Sequence, residues 1–350
     1  MNNTQISIII PIYNKEQYVE RCLKSVIKSC DIEKTQIILI DDGSTDMSGE
    51  IADRFCENYD NIEVYHTTNN GVSTARNIGI DKAVGEYIAF VDADDETIED
   101  SFQKAVEQFD ATTEIYICGA VFGSGNITKC DLISQEIKQN EKELFDYFLT
   151  GGGKNKSNIQ NVARKYMWGC KEKFYKRTFL QNHSIRFSPV LSRNEDVLFS
   201  LECYYYATKI RILSLNVYIN YIDPHGLTST MNIEKNFLNF VIFYDLFNER
   251  FSNITAEDLS LFYFQHTLTF LREGYTALRR RSISKQEYSE LMKKYFSRDD
   301  IRNMISSMNF KYLSRPKKLA FFLTKNKLYK SVGLEMSLYI RLKNSNIHIT

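Results

Sequence analysis

Four short apolar runs, each stopping at a polar cluster and each separated from the next by a helical pattern, restrict this chain more than any other feature. The first, Ile6-Ser7-Ile8-Ile9-Ile10, is expected to stop at Pro11 and leads into Ile12-Tyr13-Asn14. The second, Gln36 to Ile40, ends in Asp41-Asp42-Gly43-Ser44-Thr45-Asp46. The third, Ile62 to His66, leads into Asn69-Asn70-Gly71-Val72-Ser73-Thr74-Ala75-Arg76-Asn77. The fourth, Tyr87 to Val91, ends in Asp92-Ala93-Asp94-Asp95. Helical patterns over Glu16 to Ser29, Ser48 to Tyr59 and Ser73 to Val84 fill the gaps. Strands alternating with helices of this length predict a parallel sheet covered by helices. In such sheets ligands bind beyond the carboxyl ends of the strands, so the polar clusters are expected to converge on one crevice.

The fourth cluster carries the most chemistry. Unpaired carboxylates beside an apolar strand are costly to desolvate, so something cationic is expected among Asp92, Asp94 and Asp95. A divalent metal holding a phosphate is one candidate, because magnesium and manganese take oxygen ligands from one or two carboxylates and from substrate phosphates. The other reading is a solvated loop whose acids, Glu96 to Asp100, suit the first turn of a following helix.

In order and spacing, these four motifs resemble the nucleotide-binding half of the family 2 glycosyltransferases, from Ile6 to about Asp100. A weaker resemblance to the acceptor half continues through Tyr166-Met167-Trp168-Gly169, Phe174-Tyr175-Lys176-Arg177 and Arg193-Asn194-Glu195-Asp196-Val197-Leu198-Phe199. The resemblance implies a GT-A fold: α/β, with a Rossmann-like, mixed and mostly parallel sheet flanked by helices. A mostly helical C-terminal region is expected to follow it. The expected division is a transferase domain over residues 1–230, with halves 1–100 and 101–230, and a helical region over 231–350.

The resemblance also assigns roles. Pro11, Tyr13 and Asn14 would line the base and ribose of a nucleotide-sugar. Asp41 would accept from a uracil ring nitrogen, selecting a UDP-sugar, while Asp42 and Asp46 organise the turn. Gly71 would allow close backbone approach to the donor, and Ser73 would cap the next helix. Arg76 would meet a base carbonyl or phosphate, or pair with the acids at the neighbouring strand ends and so position Asp92. Asp92 would touch the ribose or a metal-bound water, and Asp94 would hold the Mn2+ or Mg2+ that bridges the phosphates. Asp95 would join them at the metal or, on the reading its position favours, cap a helix. His225, in Pro224-His225-Gly226, would complete the metal shell. Asp196 would be the general base, with Glu195 and Trp168 shaping the acceptor pocket. A single displacement by the acceptor hydroxyl would invert the anomeric centre.

Composition fits a globular enzyme: of 350 residues, 43% are apolar and 25% charged. Forty-four basic residues balance forty-four acidic ones, which argues against a general nucleic-acid binder. From Lys311 to Thr350, however, nine Lys or Arg face one acid, Glu335. This basic tail suits peripheral contact with an anionic membrane carrying a lipid-linked or glycan acceptor. Its other readings are packing on the enzyme's own core or in a homo-oligomer. Seven cysteines without a CxxC pair, and no signal-peptide pattern, favour a cytoplasmic setting, with surface polysaccharide assembly implied by the family. The chain lacks the Gln-x-x-Arg-Trp motif and membrane helices of processive relatives, so one sugar per encounter is expected.

Two other functions fit less well. A sugar nucleotidyltransferase would need a Gly-rich phosphate loop with a basic residue after the first strand, and Pro11-Ile12-Tyr13-Asn14-Lys15 has none. A non-catalytic sugar-nucleotide-binding or scaffold protein would have no need to keep Asp92, Asp94 and Asp196 together.

Overall fold

The computed structural model describes residues 4–123, 135–138, 169–221, 233–251, 256–307, 324 and 326. The chain divides into two compact units, residues 1–144 with 157–224 and residues 145–156 with 225–350.

The first unit is built on a mixed sheet. Its strands among the described residues are β1 (Ile6–Ile12), β2 (Thr35–Asp41), β3 (Ile62–His66), β4 (Tyr87–Phe90), β5 (Glu96–Thr97), β6 (Ile115–Phe122), β7 (Gln135–Lys138), β8 (Lys173–Lys176) and β9 (Lys209–Asn220). They lie in the order β3-β2-β1-β4-β8-β6-β9-β5, with β7 also paired to β9. The first four are mutually parallel, while β8 runs antiparallel to both β4 and β6. The chain winds outward from β1 to β3 and then returns to place β4 on the other side of β1. That reversal is the switch point at which open α/β sheets bind ligands.

Helices α1 (Val19–Ser29), α2 (Ser48–Asn58) and α3 (Val72–Lys82) connect these strands. Ile8, Ile9, Ile10 and Ile12 of β1, and Ile37 to Ile40 of β2, have no exposed surface. Runs that are apolar on every residue, rather than on alternate ones, are what a strand covered on both faces requires. Ser7 is the polar exception on β1. Its hydroxyl donates to Gln36 Oε1 at 2.6 Å and accepts from Gly85 N at 2.8 Å.

Several local expectations are corrected. Pro11 does not end β1, which runs on to Ile12 with Pro11 opposite Ile40. Ile9 O accepts from Val91 N on the β4 side. Two residues further on, Pro11 faces the same neighbour with no N–H to donate, so the proline sits where the β1–β4 ladder has ended. Ser73 does not cap α3. The cap position is Gly71 at φ +87°, and the buried Ser73 hydroxyl has no hydrogen-bond partner among the described residues. Glu96 to Asp100 do not form a first helical turn either. Glu96 and Thr97 are β5, paired with Tyr218 and Ile219 of β9, and α4 (Ser101–Val106) begins later.

The acceptor half adds α5 (Arg177–Asn182) and α6 (Glu195–Tyr206). Glu195 and Asp196 lie in the first turn of α6. Rings of Phe90, Tyr175, Phe187 and Phe199 pack between α6 and the sheet, with Phe187 stacked on Phe199 at 4.0 Å.

The second unit is helical where described: α7 (Ile233–Arg250), α8 (Ala256–Arg279), α9 (Lys285–Phe296) and α10 (Asp299–Ser307). Its core centres on Tyr295, stacked on Phe270 and sharing its hydroxyl with Thr267 at 2.8 Å. No described helix is long and apolar enough to cross a membrane.

Candidate active site

The exits of β1, β2 and β4 and the first turns of α3 and α6 supply the site. Arg76 is its keystone. It sits on α3, which packs on β1 and β2, with only 5% of its surface exposed. One guanidinium nitrogen donates to Asp92 Oδ1 at 2.9 Å and the other to Glu195 Oε1 at 3.0 Å. The guanidinium carbon lies 5.2 Å from the centre of the Phe187 ring. One cation therefore joins the expected donor-side carboxylate to the expected acceptor-side one. Burial disfavours the Arg76 charge, but the surrounding acids outweigh it and hold the guanidinium firmly protonated.

Asp92 gives its other oxygen, Oδ2, to Lys171 Nζ at 3.1 Å. Burial works against its charge, yet Lys171 and Arg76 keep its carboxyl well below the ordinary carboxylate range. Asp94 Oδ2 meets Lys15 Nζ at 2.5 Å, and Asp94 O accepts from Arg21 at 2.9 Å. Asp95 is no helix cap. It is almost fully buried and accepts from Lys171 Nζ at 2.8 Å, Tyr218 OH at 3.1 Å and Tyr221 N at 2.8 Å. That burial raises its pKa, with Lys171 opposing. The Tyr218 hydroxyl also accepts from Asp92 N at 2.9 Å, which fixes the backbone between the acids.

Ligand oxygens of Asp92, Asp94 and Asp95 lie within 4.8 Å of one another. An all-oxygen set of this span has the donor chemistry that suits Mn2+ or Mg2+.

Asp41 and Asp42 diverge. Asp41 Oδ1 accepts from Ser44 N at 3.0 Å, and its Oδ2 lies 2.8 Å from His66 Nδ1. His66 also reaches Asp53 through Nε2 at 3.0 Å, and its hydrogen bonds to Asp41 and Asp53 raise its pKa. Asp42 turns towards α3, where Oδ1 accepts from Asn70 N and Oδ2 from Gly71 N. Asp42 therefore holds the turn before α3 rather than its own, while Asp41, through Ser44 N, and Asp46, through Ser48 N, hold the turn between β2 and α2. Gly71 faces open space, with no atom within 4 Å of where a Cβ would stand. Asn14 takes a left-handed conformation (φ 51°) and accepts from Thr45 N at 2.8 Å, while Tyr13 is exposed.

Asp196 is half-buried, with Oδ1 accepting from Val197 N at 2.9 Å. Burial, followed by the adjacent Glu195 charge, pushes its carboxyl up to about 7, with Arg76 opposing. Gly169 lies beside it, since a Cβ there would stand 3.4 Å from Asp196 Oδ2. Trp168, His225 and the basic tail lie outside the described residues, apart from Thr324 and Asn326.

The structure thus brings Arg76, Asp92, Asp94, Glu195 and Asp196 into one unit. The sequence reading missed Lys15, Lys171, His66 and Tyr218. Lys15 directly follows Asn14, so its neighbourhood was legible. A lone lysine at 171 carries no such signal.

Residues 7–178 match the family model for glycosyl transferase family 2. The chain is 26% identical over 332 residues to the uncharacterized glycosyltransferase EpsJ of Bacillus subtilis (strain 168), covering 92% of this chain and 93% of EpsJ. Among solved structures, S. aureus TarS 1–349 in complex with UDP superposes with a TM-score of 0.66 at 18% identity, covering 96% of this chain and 92% of TarS. The Pyrobaculum calidifontis mannosyltransferase PcManGT, solved with GDP-Man and Mn2+, gives 0.51 at 14% identity, covering 94% and 87%. The fold is that of the GT-A glycosyltransferases. The match to the glycosyl transferase family 2 model and the glycosyltransferase relatives identify the chain as a glycosyltransferase.

Proposed function

We propose that this chain is an inverting, metal-dependent glycosyltransferase. It moves a sugar from a UDP-sugar to a hydroxyl of a glycan or lipid-linked acceptor in surface polysaccharide assembly. The observation that carries this reading is the Arg76 bridge, which holds a donor-side acid, Asp92, and the helix turn bearing Asp196 on one guanidinium. TarS has been solved with both UDP and UDP-GlcNAc, which supports a uridine donor.

In this reading the nucleotide lies over the exits of β1 and β2, with Pro11, Tyr13, Asn14 and Asp41 around the base and ribose. Gly71 leaves the backbone before α3 open to the donor. Asp92, Asp94 and Asp95 would hold the metal, which when bound offsets the charge developing on the departing diphosphate. Asp196 removes the proton from the acceptor hydroxyl, and a carboxyl near 7 suits a base that works at neutral pH. The hydroxyl oxygen bonds to the anomeric carbon as the bond to the diphosphate oxygen breaks, on the opposite face. An α-linked donor then yields a β-glycoside. Glu195, fixed by Arg76, shapes the acceptor side, together with Trp168. The family resemblance would make His225 a further ligand for that metal, and the basic tail, with nine cationic residues against one acid, would bring the enzyme to an anionic leaflet as a peripheral protein.

Thermal melting against a panel of nucleotide-sugars, with and without Mn2+, tests this proposal. A ligand at about 100 times its Kd should add roughly 2.7 kcal/mol of stability. A Mn2+-dependent rise with UDP-sugars that disappears in Asp94→Ala supports the donor site. An Asp196→Asn variant that still binds donor but transfers nothing supports the base. No shift with any nucleotide in folded protein refutes the reading in favour of a scaffold.

A further inference from the structure

The oxygens offered to a metal already carry the protein's own cations. Lys15 takes only one oxygen of Asp94. Asp92 is fully engaged, with Arg76 on Oδ1 and Lys171 on Oδ2. A divalent cation held by Asp92 Oδ2 would share that atom with an ammonium 3.1 Å away, and like charges at such range repel strongly. One cation must leave. Arg76 is 5% exposed and forked between two carboxylates, so releasing it would strand Glu195 as well. The Lys171 side chain is 24% exposed and ends in a flexible stem.

Only that side chain is free to move. Lys173, itself buried, donates Nζ to the carbonyls of Gly169 and Lys171 at 2.6 and 3.1 Å. Ser200 Oγ donates to Gly169 O, and Cys118 N donates to Glu172 O. These bonds pin the backbone on both sides of Lys171. Within this fixed loop the ammonium spans Asp92 and Asp95 and lies 5.2 Å from the centre of the Tyr218 ring.

We infer that Lys171 is a built-in competitor for the metal, which makes metal binding conditional on the nucleotide diphosphate. In the free protein its ammonium neutralises Asp92 and Asp95. When a diphosphate arrives, the ammonium shifts from Asp92 to a phosphate oxygen. Asp92 Oδ2, once vacated, would be available to hold the metal. This inference rests on the metal-dependent donor site proposed above.

Mn2+ binding to the full chain, followed by the electron paramagnetic resonance signal of free Mn2+ with and without UDP, tests it. The native protein, Lys171→Gln, Lys171→Arg and Asp94→Ala are compared. Native protein should bind Mn2+ at least about tenfold more tightly with UDP than without. Lys171→Gln, which keeps a hydrogen-bond donor but no charge, should bind Mn2+ without UDP about tenfold more tightly than native protein. Lys171→Arg should keep the native pattern, and Asp94→Ala should bind weakly throughout. Melting curves serve as the second measurement. Mn2+ alone should raise the Tm of Lys171→Gln more than that of native protein, even where the substitution destabilises the fold. Unchanged or weaker Mn2+ affinity in Lys171→Gln, alongside a loss in Asp94→Ala, overturns the competition and leaves the metal site standing. No Mn2+ binding to native protein with UDP overturns the metal reading and this inference with it.

Discussion

If Asp196 is a base held near neutral pH by burial, that placement costs stability, and the cost can be measured. Its carboxyl is pushed up to about 7 by burial and by the Glu195 charge, against about 3.9 in an unfolded chain. Three units at about 1.36 kcal/mol each set a ceiling near 4 kcal/mol on the cost of ionising it in the fold. Partial solvent access reduces this to about 2–3 kcal/mol. Below about pH 4 both the native and the unfolded carboxyl are protonated, so the site costs nothing. Between about pH 4 and 7 the unfolded chain ionises while the native site keeps its proton, so stability falls as pH rises. Above pH 7 the cost is constant.

An Asp196→Asn variant keeps an oxygen for the Val197 N–H but never ionises. Its advantage over the native protein should be near zero at pH 4 and should grow to about 2–3 kcal/mol at pH 8, a Tm gain of several degrees. The same variant should lose most transfer activity, on the order of a hundredfold or more, as expected for a lost general base. Melting scans at pH 4, 6 and 8 suffice. A variant that melts at or below the native protein at pH 8, or a gap that does not change with pH, would refute the burial argument. A carboxylate that served only the dipole of α6 would give the opposite sign, because neutralising it would cost stability.

Arg76→Met should destabilise the protein by about 3–5 kcal/mol in urea unfolding, because two carboxylates, Asp92 and Glu195, lose a shared buried partner. Gly85→Ala should cost about 1–3 kcal/mol or more in the same assay, since its Cβ would stand 2.5 Å from the Ile6 carbonyl carbon and force β1 and β4 apart. Gly71→Ala meets no atoms and should cost only the backbone strain of φ +87° with ψ 159°, about 1–3 kcal/mol in the same assay.

What the sequence made legible was local or periodic. Buried strands such as Ile37 to Ile40 announce themselves because both faces are covered and every residue must be apolar. The strand-end clusters could be placed together without coordinates, since a doubly wound sheet brings its carboxyl ends to one edge. The errors came from long-range pairing. Glu96 and Thr97 read as helix because their strand partners, Tyr218 and Ile219, are remote in sequence. Asp95 read as a cap because Tyr221, whose N–H it accepts, lies 126 residues away. Ser73 suits a cap by residue type, but the backbone of Gly71 takes the cap position. Lys171 was out of reach for the same reason as Asp95, for it meets that residue across 76 positions.

The expectation that something cationic must sit at the end of β4 was sound, yet the first cations found there belong to the chain. Lys15 comes from the exit of β1, Arg76 from α3 and Lys171 from the loop before β8, so three neighbouring elements answer one acidic strand end. An acidic cluster in a folded protein is therefore weak evidence for a metal by itself, because side chains can balance it. What separates a structural ion pair from a replaceable one is the cost of removing the cation. Arg76 could leave only by stranding a second carboxylate on a buried face, which makes it part of the scaffold. Lys171 is partly exposed and ends in a flexible stem that can reach a phosphate. The strand end is thus charge-balanced without substrate and can be rebalanced when a diphosphate and its metal arrive, with Arg76 fixed throughout.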